Sequence, residues 1–279
     1  MHRNVLAEPL WGALPSEGRS NGCFETMRAY DGRIFRLTDH LKRLEASAAF
    51  LGTTRSLSRR ELAGRLTQAL SRSGVRDAVV RIALVPTREG PAQPHIVVQP
   101  VQRIPTSTYR RGIRVAIVPA RKFAVGSIDP HAKYSARLGS VLAVMDAQLR
   151  GVDEALFMDQ MGSVTESTAS NVGIVSRGVI LTPPCWLGLL AGITRDVLFE
   201  LARELRVVIR EAPLTRHEAY NANEAFLTST LKEVLPVTVI DGRTIGTGRP
   251  GPVTKQLWRA FRQLVRRELR MTVHTPRGM

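Results

Sequence analysis

Apolar and polar positions alternate along Phe24 to Tyr30, pause at Asp31-Gly32, and alternate again along Arg33 to Leu37, which predicts a β-hairpin. The period then lengthens. Leu41, Leu44, Ala48 and Leu51 fall on one face of a helix over His40 to Leu51, with Thr38 or Asp39 as N-cap and Gly52 as the stop. A second helix runs from Ser58 or Arg59 to Ser73 and closes on Gly74. Ala78 to Val85, His95 to Val101 and Ile113 to Val118 read as strands. Residues 119–130 lose all periodicity and carry proline at both ends, as an interdomain connector would. This predicts a smaller N-terminal α/β domain over 1–118 and a larger C-terminal domain over 131–279. In the latter, Arg137 to Arg150 is helical by apolar spacing, and Ala155 to Met158, Val172 to Val175, Val179 to Thr182 and Glu224 to Leu227 read as strands. Gly188 to Asp196 leads into a helix ending near Leu205, and Trp258 to Arg270 has apolar residues on one side and arginines on the other.

Length and composition narrow the class. At 279 residues the chain exceeds the usual single core, and 43% hydrophobic with 23% charged residues is a globular balance. The apolar stretch from Pro183 to Ile193 is too short to span a membrane. Met1 to Glu8 lacks a basic run followed by an apolar core, and Cys23 and Cys185 form no disulfide framework, so a protein of a reducing cytoplasm is expected. The net charge of +16 favours anionic partners. No zinc-finger spacing, ribonucleoprotein signature or glycine-rich nucleotide loop accompanies it, and 5% aromatic content provides few stacking platforms. Small anions are therefore favoured over nucleic acid, and no metal site or membrane partner is expected.

Gly188 to Asp196 places glycines just before a threonine at a helix start, where backbone amides and the helix dipole can take up a phosphate. A lysine amine can hold an aldehyde covalently. Pyridoxal 5′-phosphate needs both, together with an acidic partner for its ring nitrogen.

Seven ordered blocks supply the candidates: 22–28 (GCFETMR), 40–48 (HLKRLEASA), 151–156 (GVDEAL), 162–172 (GSVTESTASNV), 192–196 (GITRD), 223–230 (NEAFLTST) and 236–242 (PVTVIDG). From Gly22 to Pro252 the chain resembles the class IV aminotransferases, the fold-type IV pyridoxal-phosphate enzymes that include branched-chain and D-amino-acid aminotransferases and aminodeoxychorismate lyase. The resemblance implies two α/β domains like those of D-amino-acid aminotransferase, the cofactor in the cleft between them, and a homodimer. It implies that Lys133 anchors the cofactor and shuttles protons, that Glu166 partners the ring nitrogen, and that Arg43, Ile193, Thr194 and Thr230 bind the phosphate. Phe24, Arg81 and Arg137 are the implied substrate contacts, while Asn171 and His40 are structural. The implied reaction moves an amino group between a branched-chain-like α-amino acid and a 2-oxo acid such as 2-oxoglutarate. Ala136 and Arg137 replace the Asn-Tyr pair of many relatives, and the arginine is similar to that of aminodeoxychorismate lyases, which release pyruvate from aminodeoxychorismate to give 4-aminobenzoate for folate. That reaction is the alternative expectation.

Overall fold

A computed structural model describes residues 22–53, 56–87, 90–119 and 129–271, so most of the expected connector lies outside the described residues. The chain divides into two compact units. One takes its described residues from 22–101, 132–136 and 259–271, and the other from 102–131 and 137–258. Among the described residues, the chain first passes from one unit to the other after Val101.

In the first unit, β1 (Cys23–Tyr30), β2 (Arg33–Ile34), β3 (Ala78–Val85) and β4 (Gln93–Pro100) form an antiparallel sheet of order β2-β1-β3-β4. Strand periodicity sends Cys23, Met27 and Ala29 with Val80, Ile82 and Leu84 to one face. There they pack with Leu41, Leu44 and Ala48 of α1 (Leu37–Phe50) and Leu62, Leu66 and Leu70 of α2 (Arg59–Ser73). Phe24, Ala83 and Val85 cluster in the opposite phase. The start of α2 has a capping box formed by Ser58 and Glu61.

The start of α1 differs from expectation. Neither Thr38 nor Asp39 is its N-cap; Arg36 is, at φ 53° and with no side-chain capping bond. The expected second hairpin strand shortens accordingly to Arg33–Ile34. Distant partners explain both changes, since the Arg36 guanidinium hydrogen-bonds Glu268 and the Phe35 ring packs edge-on against Phe261, 5.7 Å between centroids.

The second unit contains α3 (Thr106–Arg111), β5 (Ile113–Ile117), α4 (Leu138–Leu149), β6 (Glu154–Met158), β7 (Val164–Ser167), β8 (Asn171–Ser176) and β9 (Val179–Thr182). After a 3-10 turn at Cys185–Leu187 come α5 (Ile193–Glu204), β10 (Ile209–Glu211), α6 (Arg216–Tyr220), β11 (Glu224–Ser229), β12 (Glu233–Ile240) and β13 (Arg243–Thr244). The strands β8-β11-β12-β5-β6-β7 close on themselves as a six-stranded ring, sealed by the pairing of Glu166 with Asn171. Strands β9 and β10 extend it from β8, and β13 pairs with β12. Val115, Leu156, Ile174, Leu227 and Leu235 belong to its main apolar core. The last helix, α7 (Pro252–Met271), starts six residues before the expected Trp258, with proline at a position where its missing N–H costs nothing. Among the described residues, no helix is long and apolar enough to cross a membrane.

Candidate active site

Glu25 breaks the apolar phase of β1. It alternates with Cys23 and Met27, so its carboxylate is turned toward α1 and fully buried. His40 and Arg43, three residues apart on α1, meet it there. Arg43 donates through Nε to Glu25 Oε1 at 2.6 Å and through Nη2 to Oε2 at 2.8 Å, and His40 Nδ1 lies 2.8 Å from Oε2. Burial alone would raise the Glu25 carboxyl; the Arg43 charge and the hydrogen bonds from Arg43 and His40 outweigh it and bring it down to about 2. Burial also lowers His40, and the Arg43 and Lys133 charges add to this against the pull of Glu25. The neutral ring therefore donates its Nδ1–H to an ionised Glu25.

Lys133 is fixed beside this cluster by its backbone. Cys23 and Tyr134 form an antiparallel bridge, Phe24 N donates to Lys133 O at 3.0 Å, and Ser135 N donates to Gly22 O at 2.8 Å. On the other side Lys133 N donates to Ser47 Oγ at 2.9 Å, and the same hydroxyl donates to Arg43 O. Gly22 is dictated by space, because a Cβ there would lie 2.3 Å from Leu84 O. Lys133 Nζ lies 4.6 Å from the centroid of the Phe24 ring. Phe24 shares its phase of β1 with Thr26, which pairs in register with the buried Arg81 of β3. Lys133, Phe24, Arg81 and Arg43 are thus all in the first unit.

Glu166, Ile193, Thr194, Thr230 and Arg137 are in the second. Glu166 is buried at the seam of the strand ring, where its Oε2 accepts from Leu190 N at 3.2 Å and Asn171 Nδ2 at 3.4 Å. Asn171 also donates to Leu190 O at 2.8 Å, so it ties the loop before α5 to the carboxylate. That loop reaches α5 through Gly192, the N-cap, which supplies no side-chain capping bond and leaves the first-turn amides at Ile193 and Thr194 directed out of the helix. Ile193 and Thr194 are both buried. Arg137 precedes α4 and donates to the carbonyl of Thr168, two residues past Glu166. Thr230 is half-buried in the turn after β11.

Four buried hydroxyl oxygens, Thr26 Oγ1, Ser135 Oγ, Ser170 Oγ and Thr254 Oγ1, have no hydrogen-bond partner among the described residues. Buried hydroxyls are normally satisfied by protein, water or a bound group. Thr26 shares the strand phase of Phe24, Ser135 is two residues from Lys133, and Ser170 adjoins Asn171. No group of three or more His, Cys, Asp or Glu side chains among the described residues could hold a metal ion.

No role was read from the sequence for Glu25 or Ser47. Glu25 did carry a signal, a charge in the buried phase of an apolar strand, which requires partners. Ser47 carried none, since its role depends on a segment distant in sequence.

Comparison with known proteins adds three findings. A family model described as amino-transferase class IV matches residues 22–240. A branched-chain-amino-acid aminotransferase of Pseudomonas aeruginosa is 34% identical, covering 88% of this chain and 84% of that protein, and a D-alanine aminotransferase of Bacillus licheniformis is 33% identical, covering 91% and 90%. The crystal structure of a branched-chain amino acid aminotransferase from Thermobaculum terrenum in its PLP form superposes with a TM-score of 0.82 at 28% identity, covering 94% of this chain and 92% of that one.

Proposed function

The chain belongs to the class IV aminotransferases, with their fold-type IV architecture, and is a transaminase; on that premise we propose that it uses pyridoxal 5′-phosphate to move an amino group from a branched-chain α-amino acid to 2-oxoglutarate. The observation that carries this reading is the seam of the strand ring, where a buried carboxylate, Glu166, is tied through Asn171 to a helix start that has no side-chain cap. An acidic side chain for the ring nitrogen and helix-end amides for the phosphate are what the cofactor requires. The orphaned hydroxyl of Ser170, next to Asn171, fits a polar group at this seam as well.

The cofactor, when bound, supplies an aldehyde for the amine and a ring that accepts the electrons of a broken Cα–H bond. Lys133 would supply the amine that anchors the cofactor and the base that moves the Cα proton. Glu166 would hold a proton on the ring nitrogen. In the second unit the amides of Ile193 and Thr194 and the Thr230 hydroxyl would hold the phosphate; in the first, Glu25 and His40 fix Arg43, whose charge suits an anion. Phe24, with Ala83 and Val85, offers an apolar surface suited to a branched side chain, and Arg81 and Arg137 provide charge for carboxylates. Arg137 favours the lyase reading, whereas the two relatives named above bear aminotransferase names.

The chain also pairs with a second copy in this reading. Leu138, Val141, Leu142, Met145 and Leu149 form an exposed apolar stripe on α4, an arrangement that needs a partner surface. The function is tested by adding L-valine, L-leucine, L-isoleucine and D-alanine singly with 2-oxoglutarate and measuring glutamate. The expected result is glutamate from the three branched L-amino acids. Glutamate from D-alanine alone would overturn the substrate assignment, and pyruvate from aminodeoxychorismate without any acceptor would overturn the reaction.

A further inference from the structure

The turn between β11 and β12 is held by a second buried cluster. Lys232, just ahead of β12, is buried with its ammonium on Glu154 Oε2, and Glu154 is equally buried. The other oxygen, Oε1, accepts from the Thr168 hydroxyl at 2.5 Å and from Ala155 N at 3.1 Å. Thr168 in turn accepts from Arg137 through its carbonyl. The backbone of the turn is held as well, with Lys232 N donating to Ser229 Oγ at 3.2 Å and the Tyr109 hydroxyl donating to Lys232 O at 3.0 Å. The next residue, Glu233, has a left-handed φ of 54° and accepts from Trp258 Nε1 at 3.1 Å, while the Trp258 ring stacks on Tyr109 at 4.8 Å.

Burying an ammonium and a carboxylate together adds little net stability, because their desolvation offsets their attraction. What the pair does achieve is a fixed geometry. One carboxylate ties the turn carrying Thr230 to Thr168, which follows Glu166 by two residues, and through Thr168 to Arg137. We propose that Glu154 and Lys232 are positioning residues that hold the Thr230 turn in register with the Glu166 turn and so set the preference for a phosphorylated ligand. The proposal rests on the reading of Thr230 as a phosphate contact.

The test compares the affinities of apoprotein for pyridoxal phosphate and for pyridoxal, followed by tryptophan fluorescence. In the Glu154→Gln, Lys232→Met double variant both charges are gone and the volumes are kept. Its preference for the phosphorylated form should fall about tenfold, the scale of one displaced charge-assisted hydrogen bond, with pyridoxal affinity unchanged. If that variant fails to fold, Thr168→Val, which removes only the hydroxyl that joins Glu154 to the Glu166 turn, should shift the preference in the same direction. A folded variant that keeps the wild-type preference overturns the proposal, and so does one that loses both compounds equally, since that reports general damage. Wild-type protein with no preference for the phosphorylated form would instead defeat the assignment of Thr230, and the proposal with it.

Discussion

Glu25 is a carboxylate kept ionised inside an apolar sheet-and-helix layer by Arg43 and His40. Glu25→Gln removes the charge that Arg43 faces, and breaking a buried pair in this way should cost about 3 kcal/mol, read as a lower urea midpoint at pH 7. The wild-type pH dependence follows from the directions of the two shifts. Unfolded chain protonates His40 near 6.5 and Glu25 near 4.5, whereas the folded protein resists both until lower pH. Stability therefore declines as pH falls below about 6.5 and declines further between 4.5 and about 2. Urea midpoints at pH 7, 5 and 3 check this, and the Gln variant should lack the lower step. An unchanged step would mean that Glu25 is not the titrating group. At this scale the sequence displayed the misplaced charge and the helical spacing of His40 and Arg43. It could not display their pairing, which needs β1 and α1 to be brought together by the core around Leu41 and Leu44.

Among the elements, segments with a clear apolar pattern were legible, including β1, α2, β3, β8 and α5. Strand β7 was not, because three of its four buried residues are polar, Thr165, Glu166 and Ser167, and no alternation marks it. Strand β12 was hidden by Pro236 and by a first residue, Glu233, in a left-handed conformation. The helix that starts at Gly192 was visible, but the reason for that glycine was not. Its own φ of −81° suits any residue, so the constraint is space: a Cβ would lie 1.9 Å from Asn171 Oδ1. Gly192→Ala should therefore displace Asn171 and destabilise the protein by about 1–3 kcal/mol, measured by thermal melting. Adding Asn171→Ser should recover part of the loss. Losses that simply add would show that the two positions do not meet.

For the molecule as a whole, periodicity suggested two domains but not the route of the chain, which brings 132–136 and 259–271 into the unit formed mainly by 22–101. Such returns depend on long-range pairing, as with Cys23 and Tyr134, and leave no local trace. The charge of +16 has a place here, since phosphate and 2-oxo acids are anions that a positive field draws in. If the α4 stripe pairs two copies, light scattering should give twice the 30.8 kDa chain mass, and Leu142→Glu with Met145→Lys should halve it. A monomeric wild-type protein would contradict the pairing. The central claim is that one lysine anchors the cofactor, and borohydride reduction of the protein with pyridoxal phosphate, followed by peptide mass spectrometry, tests it most directly. The account predicts one modified peptide, carrying the pyridoxyl group on Lys133; modification of another lysine, or of none, would contradict it.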